Sequence, residues 1–143
     1  MKVGELALVA RCTVETVRYY EREGLLPAPE RTAANYRRYA QAHLDRLRFI
    51  RNCRALDMTH AEIRALLDTI DRPAADCRVI NGVLDEHIEH VAARIDELRQ
   101  LQDQLVTLRQ RCQDERPIDA CGILQGLAAM ETEARPPRPS HLG

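Results

Sequence analysis

Thr13-Val14-Glu15-Thr16-Val17-Arg18-Tyr19-Tyr20-Glu21-Arg22-Glu23-Gly24 is the stretch on which the fold class turns. Thr13 is a helix N-cap, because its hydroxyl can accept from the orphan amides of a first turn. Val14 to about Glu23 then reads as a helix, and Gly24 stops it. Val14 and Val17 face inward; Glu15, Thr16, Arg18 and Tyr19 face outward. Upstream, Gly4 to Ala10 reads as a shorter helix with Leu6, Val9 and Ala10 on one face, and Arg11-Cys12 makes the turn. Two short helices about a tight turn suggest a helix-turn-helix. Arg18 offers a fork to guanine or phosphate, and a tyrosine hydroxyl suits a phosphate oxygen. An ordinary amphipathic helix with a solvated Arg/Glu face fits the same residues equally well.

The residues that follow shift that balance. Leu25-Leu26-Pro27-Ala28-Pro29 cannot be helical. Asn35-Tyr36-Arg37-Arg38-Tyr39 is a turn residue followed by a short basic-aromatic, strand-like run. It would form a wing beside the second helix, with side chains suited to a sugar-phosphate backbone. A capping loop whose tyrosines cover a small core is the other reading, and at least one of Tyr36 and Tyr39 is expected to serve it. A third helix is expected from about Gln41 to Leu56, with Leu44, Leu47, Ile50 and Leu56 as its apolar stripe and Arg46, Arg48, Arg51 and Arg54 on its other faces. Thr59-His60-Ala61-Glu62 is a capping box opening a fourth, with Ile63, Leu66 and Leu67 inward.

Charge divides the chain. The formal net charge of the 143 residues is −1, but residues 1–56 carry +5 and residues 57–143 carry −6. Every aromatic residue lies in the basic part, ending at Phe49. No apolar run approaches the ~20 residues of a membrane span, and the start has no segment of the signal-peptide kind. A cytoplasmic location and reduced thiols are therefore expected. No Ser/His/Asp triad, phosphate loop or paired catalytic carboxylates stand out, so an enzyme is not expected.

In the acidic part, residues 71–76 read as a hinge. Leu84, Ile88, Val91, Ile95, Leu98, Leu101, Leu105, Leu108 and Cys112 then recur at steps of three and four, the mark of one long helix over 77–112. A single narrow apolar stripe cannot bury itself; it needs a partner helix, and the natural partner is the same helix of a second copy. Residues 113–130 form a loop and a short helix. Residues 131–143, with Arg135-Pro136-Pro137-Arg138-Pro139, read as a disordered tail.

Five cysteines cannot all pair internally. Cys112 and Cys121 flank a short loop, which lets two thiolates close on one ion. Cys77 lies 35 residues before Cys112, roughly 52 Å along a helix at ~1.5 Å per residue. It therefore cannot join Cys112 of its own chain, but it can in an antiparallel dimer, giving two equivalent sites. Each would take Cys77 from one chain and Cys112 with Cys121 from the other. The plainer alternative makes Cys112 a core residue and Cys77 a small buried hydrophobe. Cys12 and Cys53 are read as packed in the first and third helices. His87 and His90 share a helix face and, with His60 or Glu62, could form a second, harder metal site; a solvated polar face is the more ordinary reading.

The segments Thr13–Glu21, Gly24-Leu25-Leu26-Pro27 and Asn35–Tyr39 resemble the DNA-binding domain of MerR-type transcriptional regulators. Phe49–Arg54, Leu84–Ile88 and Cys121–Leu127 resemble the cadmium- and lead-responsive (CadR- and PbrR-type) branch. The likeness covers about residues 1–127. It implies a mostly all-α fold: a winged helix-turn-helix domain (1–70) with a small β wing, and a long antiparallel coiled-coil dimerisation helix. It implies a dimer that binds double-stranded promoter DNA and, on taking up metal, distorts it so that RNA polymerase engages both promoter elements. DNA contacts would come from Glu15, Thr16, Arg18, Tyr19, Tyr20, Tyr36, Arg37, Arg38 and Tyr39. The ligands would be Cys77, Cys112 and Cys121, three thiolates suited to Cd(II) or Pb(II), with Hg(II) or Zn(II) as the nearest alternatives. A cytosolic thiol protein that buffers metal or senses oxidants is the alternative from another class.

Overall fold

A computed structural model describes residues 1–132 apart from 73 and 75. The expected tail thus falls almost wholly outside the described residues. The elements are α1 (Val3–Val9), α2 (Val14–Arg22), β1 (Glu30–Arg31), β2 (Arg37–Arg38), α3 (Gln41–Ala55), α4 (His60–Ile70), α5 (Cys77–Arg109), a 3-10 turn (Ile118–Ala120) and α6 (Gly122–Ala129). This is the mostly helical architecture with a small wing that the sequence pattern implies. The chain forms two compact units, the first over Met1–Leu84 and the second beginning at Asp85.

Local chemistry sets the helix ends of the first unit. Thr13 accepts from the Thr16 amide at 3.1 Å, and Gly24 closes α2 at φ +74°. The Thr59 hydroxyl accepts from the Glu62 amide at 3.1 Å, and the Glu62 carboxylate accepts from the Thr59 amide at 2.8 Å, which closes the capping box. Between α2 and α3 the wing pairs Glu30 with Arg38 and Arg31 with Arg37 in antiparallel register. Its turn is held by Asn35 in the left-handed region (φ 67°), whose amide donates to the Thr32 carbonyl.

The core gathers Leu6, Val17, Leu25, Leu26, Leu44, Leu47, Ile50, Met58, Ile63, Leu66 and Leu67, with Ile80 and Val83 of α5 packed against it. Two helix faces differ from expectation. In α1 the buried set is Leu6, Ala7 and Ala10, whereas Val9 is exposed; small alanines let α1 approach its neighbour closely. In α3 the stripe ends on buried Cys53, and Leu56 is 65% exposed. Asp57 turns the chain at φ 58° after α3, which sends Leu56 outward and Met58 into the core.

Three arginines of α3 act as internal braces. Arg46 donates to the Leu25 carbonyl at 3.0 Å and grips Asp71 with both outer nitrogens at 3.1 Å. That guanidinium holds the Asp71 carboxyl below the usual carboxylate range. Arg51 donates to the Ala10 carbonyl, and Arg54 to the Met58 carbonyl at 2.8 Å.

Beyond Asp85, α5 leaves much of its apolar stripe in solvent: Ile88, Ile95, Leu98 and Leu105 are exposed. Among the described residues no helix is long and apolar enough to cross a membrane.

Candidate nucleic-acid interface and metal centre

The start of the chain, α2 and the wing enclose a basic concavity of about 720 Å³, lined by Lys2, Arg18, Arg22, Arg31, Tyr36 and Arg37 among others. Each basic group is placed by local structure. Arg18 is exposed on α2, one turn past the Thr13 cap. Arg37 and Arg38 sit side by side on β2, and Tyr36 projects from the turn at 72% exposure. Arg31 donates to the Asn35 carbonyl at 3.1 Å. Glu21 ties α2 to the wing: its carboxylate pairs with Arg37 at 3.4 Å and accepts the Tyr39 hydroxyl. A surface with this charge and this mix of guanidinium and phenol groups can hold a phosphate backbone while Arg18 reads base edges.

Of the residues expected to face DNA, Glu15, Thr16, Arg18, Tyr19, Tyr36, Arg37 and Arg38 keep a solvent-accessible surface. Tyr20 and Tyr39 do not: both are core side chains, at 7% and 2% exposure. Burial, then the Glu21 hydrogen bond, push the Tyr39 hydroxyl up to about 12. Burial also raises the Tyr20 hydroxyl. Tyr39 is thus the wing tyrosine that covers the core, and Tyr36 the one that stays outside. The residues not anticipated are Lys2, Arg22 and Arg31. Their only signal in the sequence is charge, and charge alone does not say which arginine will share a concavity with Arg18.

The second cluster lies past the end of α5. Cys121 is the N-cap of α6, and its thiol lies below the ordinary range, drawn down chiefly by the Leu124 amide and also by the Ile123 amide and the Cys112 thiol, against the opposing effect of burial. Cys112 thus lies near enough to Cys121 for one thiol to act on the other. The Cys112 thiol also donates to the Asp114 carbonyl at 3.3 Å. Two glycines make this approach sterically available. A Cβ at Gly122 would fall 2.5 Å from the Arg111 carbonyl oxygen, and one at Gly126 would fall 3.0 Å from a Leu108 methyl. Cys77 is exposed at the first position of α5.

Two family models match the chain: MerR HTH family regulatory protein over residues 1–70, and MerR, DNA binding over residues 44–108. The chain belongs to the MerR family. It is a DNA-binding, metal-responsive transcriptional regulator rather than an enzyme, as its MerR-family relatives are. It is 48% identical over 120 residues to the HTH-type transcriptional regulator ZntR homolog of Haemophilus influenzae, covering 82% of this chain and 89% of that one. It is 40% identical to the mercuric resistance operon regulatory protein of Bacillus cereus, covering 88% and 96% of the two chains. Among solved structures it resembles the transcription regulator PbrR691 of Ralstonia metallidurans CH34 in complex with lead(II), with a TM-score of 0.81 and 50% identity over 89% of this chain and 98% of that one.

Five further residues read from the sequence can now be placed in this MerR-family fold. Cys12 and Cys53 are half-buried and buried, and burial raises both thiols, as suits packed cysteines. His87 departs from a solvated polar face: it is buried, at 6% exposure, with its ring edge-on to His90 at 6.5 Å. His90 is exposed, and Glu62 is buried with its carboxylate in the α4 capping box.

Proposed function

We propose that this MerR-family regulator is a homodimeric sensor of Cd(II) or Pb(II) that activates metal-resistance genes by distorting its promoter. The observation that carries the reading is the Cys112–Cys121 pair, held together by α6 with the Cys121 thiol already shifted toward thiolate. A soft divalent ion prefers thiolates, and binding displaces their protons. A third thiolate completes a three-sulfur site. The 33 residues of α5 measure roughly 50 Å at ~1.5 Å per residue, so Cys77 serves best as the ligand given to the partner's pair. The exposed stripe of α5 supports the antiparallel dimer that this exchange needs. Each DNA-binding unit would then hang from one end of the paired helices. Metal capture between chains would alter the angle of the two units on promoter DNA, at a distortion cost of a few kcal/mol, and RNA polymerase would engage the realigned elements. Glu15, Thr16, Arg18, Tyr19, Tyr36, Arg37 and Arg38 are the proposed DNA contacts.

The likeness to a lead(II)-bound regulator supports Pb(II). The mercuric resistance and ZntR-named relatives favour Hg(II) or Zn(II) as the second reading. A mixed dimer carrying Cys77→Ser on one chain and Cys112→Ser on the other tests the shared site. Both substitutions disable one site, so one ion per dimer is expected; zero or two ions overturns the cross-chain arrangement. Competition among Cd(II), Pb(II), Hg(II) and Zn(II) for the unaltered dimer ranks the effector.

A further inference from the structure

A cluster of rings stands where α4 begins. His60 is the first residue of α4, and the closed Thr59–Glu62 box fixes its backbone. Its Nδ1 lies 3.4 Å from the Tyr19 hydroxyl of α2, and the two rings are tilted at 52° with centroids 5.6 Å apart. Tyr20 flanks the imidazole edge-on at 6.3 Å. Tyr20 is buried while Tyr19 is 37% exposed, so the imidazole is backed by the core on one side and meets an outward-facing phenol on the other. Arg64, one turn further along α4, donates to the Glu23 carbonyl at the end of α2. The first turns of α4 thus brace α2 from behind. The core contacts of this helix come from Ile63, Leu66 and Leu67; none of them requires an imidazole at position 60.

We propose that His60 is a positioning residue for DNA binding, orienting the Tyr19 hydroxyl so that its single proton points at a backbone phosphate. The inference rests on the proposed contact between Tyr19 and DNA. A phosphate oxygen only accepts, so a phenol that binds it must spend its proton outward. The phenol oxygen is then free to accept, and the Nδ1–H tautomer of His60 supplies that donor. An N–H to O–H to phosphate chain polarises each bond and holds the hydroxyl in one rotor state. Without the imidazole, the Tyr19 proton can turn toward water before DNA arrives, and the contact must be ordered on binding.

Asn and Leu at position 60 separate this role from packing. They are nearly isosteric, and only Asn places an N–H donor where Nδ1 stands. The measurement is fluorescence anisotropy of the full-length dimer with a labelled duplex of the DNA upstream of its own coding region. Thermal unfolding is followed in parallel. His60→Leu should weaken binding about 3-fold to 10-fold, the worth of one hydrogen bond, while His60→Asn stays within about 2-fold of the unaltered chain. In a Tyr19→Phe background, His60→Leu should add nothing. Equal affinities for the Asn and Leu variants, or additive losses with Tyr19→Phe, overturn the proposal. If Tyr19→Phe alone leaves affinity unchanged, the Tyr19–DNA contact itself fails, and the positioning role falls with it.

Discussion

The first unit and the part of α5 beyond it use the same apolar residue types to opposite ends. Leu47, Ile50 and Ile63 are 0% exposed, each surrounded by side chains from other elements of its own chain. Ile88, Ile95, Leu98 and Leu105 stand 44–61% exposed on one continuous helix. The first region closes its own core; the second presents half of one. Charge leans the same way, since residues 1–84 sum to +3 and residues 85–143 to −4. On the proposed function, DNA binding would belong to a unit that folds around itself, and sensing to a segment that a second copy would complete. A signal that acts on how two copies meet can leave the DNA-reading surface intact.

A charge placed on the exposed stripe tests that contrast hardest. Leu98→Asp puts a carboxylate into each side of the proposed dimer seam. Burying an unpaired carboxylate is costly enough that the dimer should weaken at least about 100-fold, as read by sedimentation. The first unit should stay folded. All four tyrosines lie in residues 1–56, so near-ultraviolet circular dichroism follows that unit alone. A dimer of unchanged affinity would show that the stripe is not the seam. Leu47→Ala is the reciprocal experiment. Leu47 is fully buried in the middle of α3, and its loss should cost about 2–5 kcal/mol in urea unfolding followed by the tyrosine signal. A cost below about 1 kcal/mol would mean that the first unit is loosely packed and does not close its own core.

Features set by a few neighbouring residues were the ones legible in advance. The Thr13 cap, the Gly24 stop, the Thr59–Glu62 box and the Asn35 turn depend on residues within a turn of each other, and all four are present. The small wing and the long helix were readable for the same reason. What failed was helix phase in short elements. Spacing places Val9 and Leu56 on the apolar faces, but close approach of α1 and the Asp57 turn put the smaller Ala7 and Cys53 in the core. The resemblance implies DNA contacts at Tyr20 and Tyr39, but tertiary packing takes both rings into the core, Tyr39 in the core-covering role that the sequence leaves open to a wing tyrosine. Spacing places the arginines of α3 on its non-core faces but does not say what they touch: Arg46 and Arg51 brace the distant Leu25 and Ala10 carbonyls, and Arg54 the nearby Met58 carbonyl. At the cysteines, the short loop allows Cys112 and Cys121 to approach one another. Spacing carried no information on the Leu124 amide that tunes Cys121.

Glycine gives the smallest effect and the finest contrast between regions. Gly82 lies inside α5, two residues before Leu84 and thus about 200° around the helix from the stripe. A Cβ there meets nothing within 4 Å. Gly82→Ala removes the excess unfolded-state entropy of a glycine in a helix and should stabilise the protein by about 0.5–1 kcal/mol, seen as a higher unfolding midpoint with metal affinity unchanged. Gly122→Ala is chemically the same substitution with the opposite expected result. Its new methyl would fall 2.5 Å from the Arg111 carbonyl oxygen, a backbone atom that cannot swing aside. The start of α6 must shift, and Cys121, the residue immediately before it, shifts too. Metal affinity should fall while the first unit keeps its stability, since the tyrosine-monitored transition does not sense α6. If Gly122→Ala bound metal as tightly as the unaltered chain, the close approach of α6 to the end of α5 would have no part in setting the thiol pair.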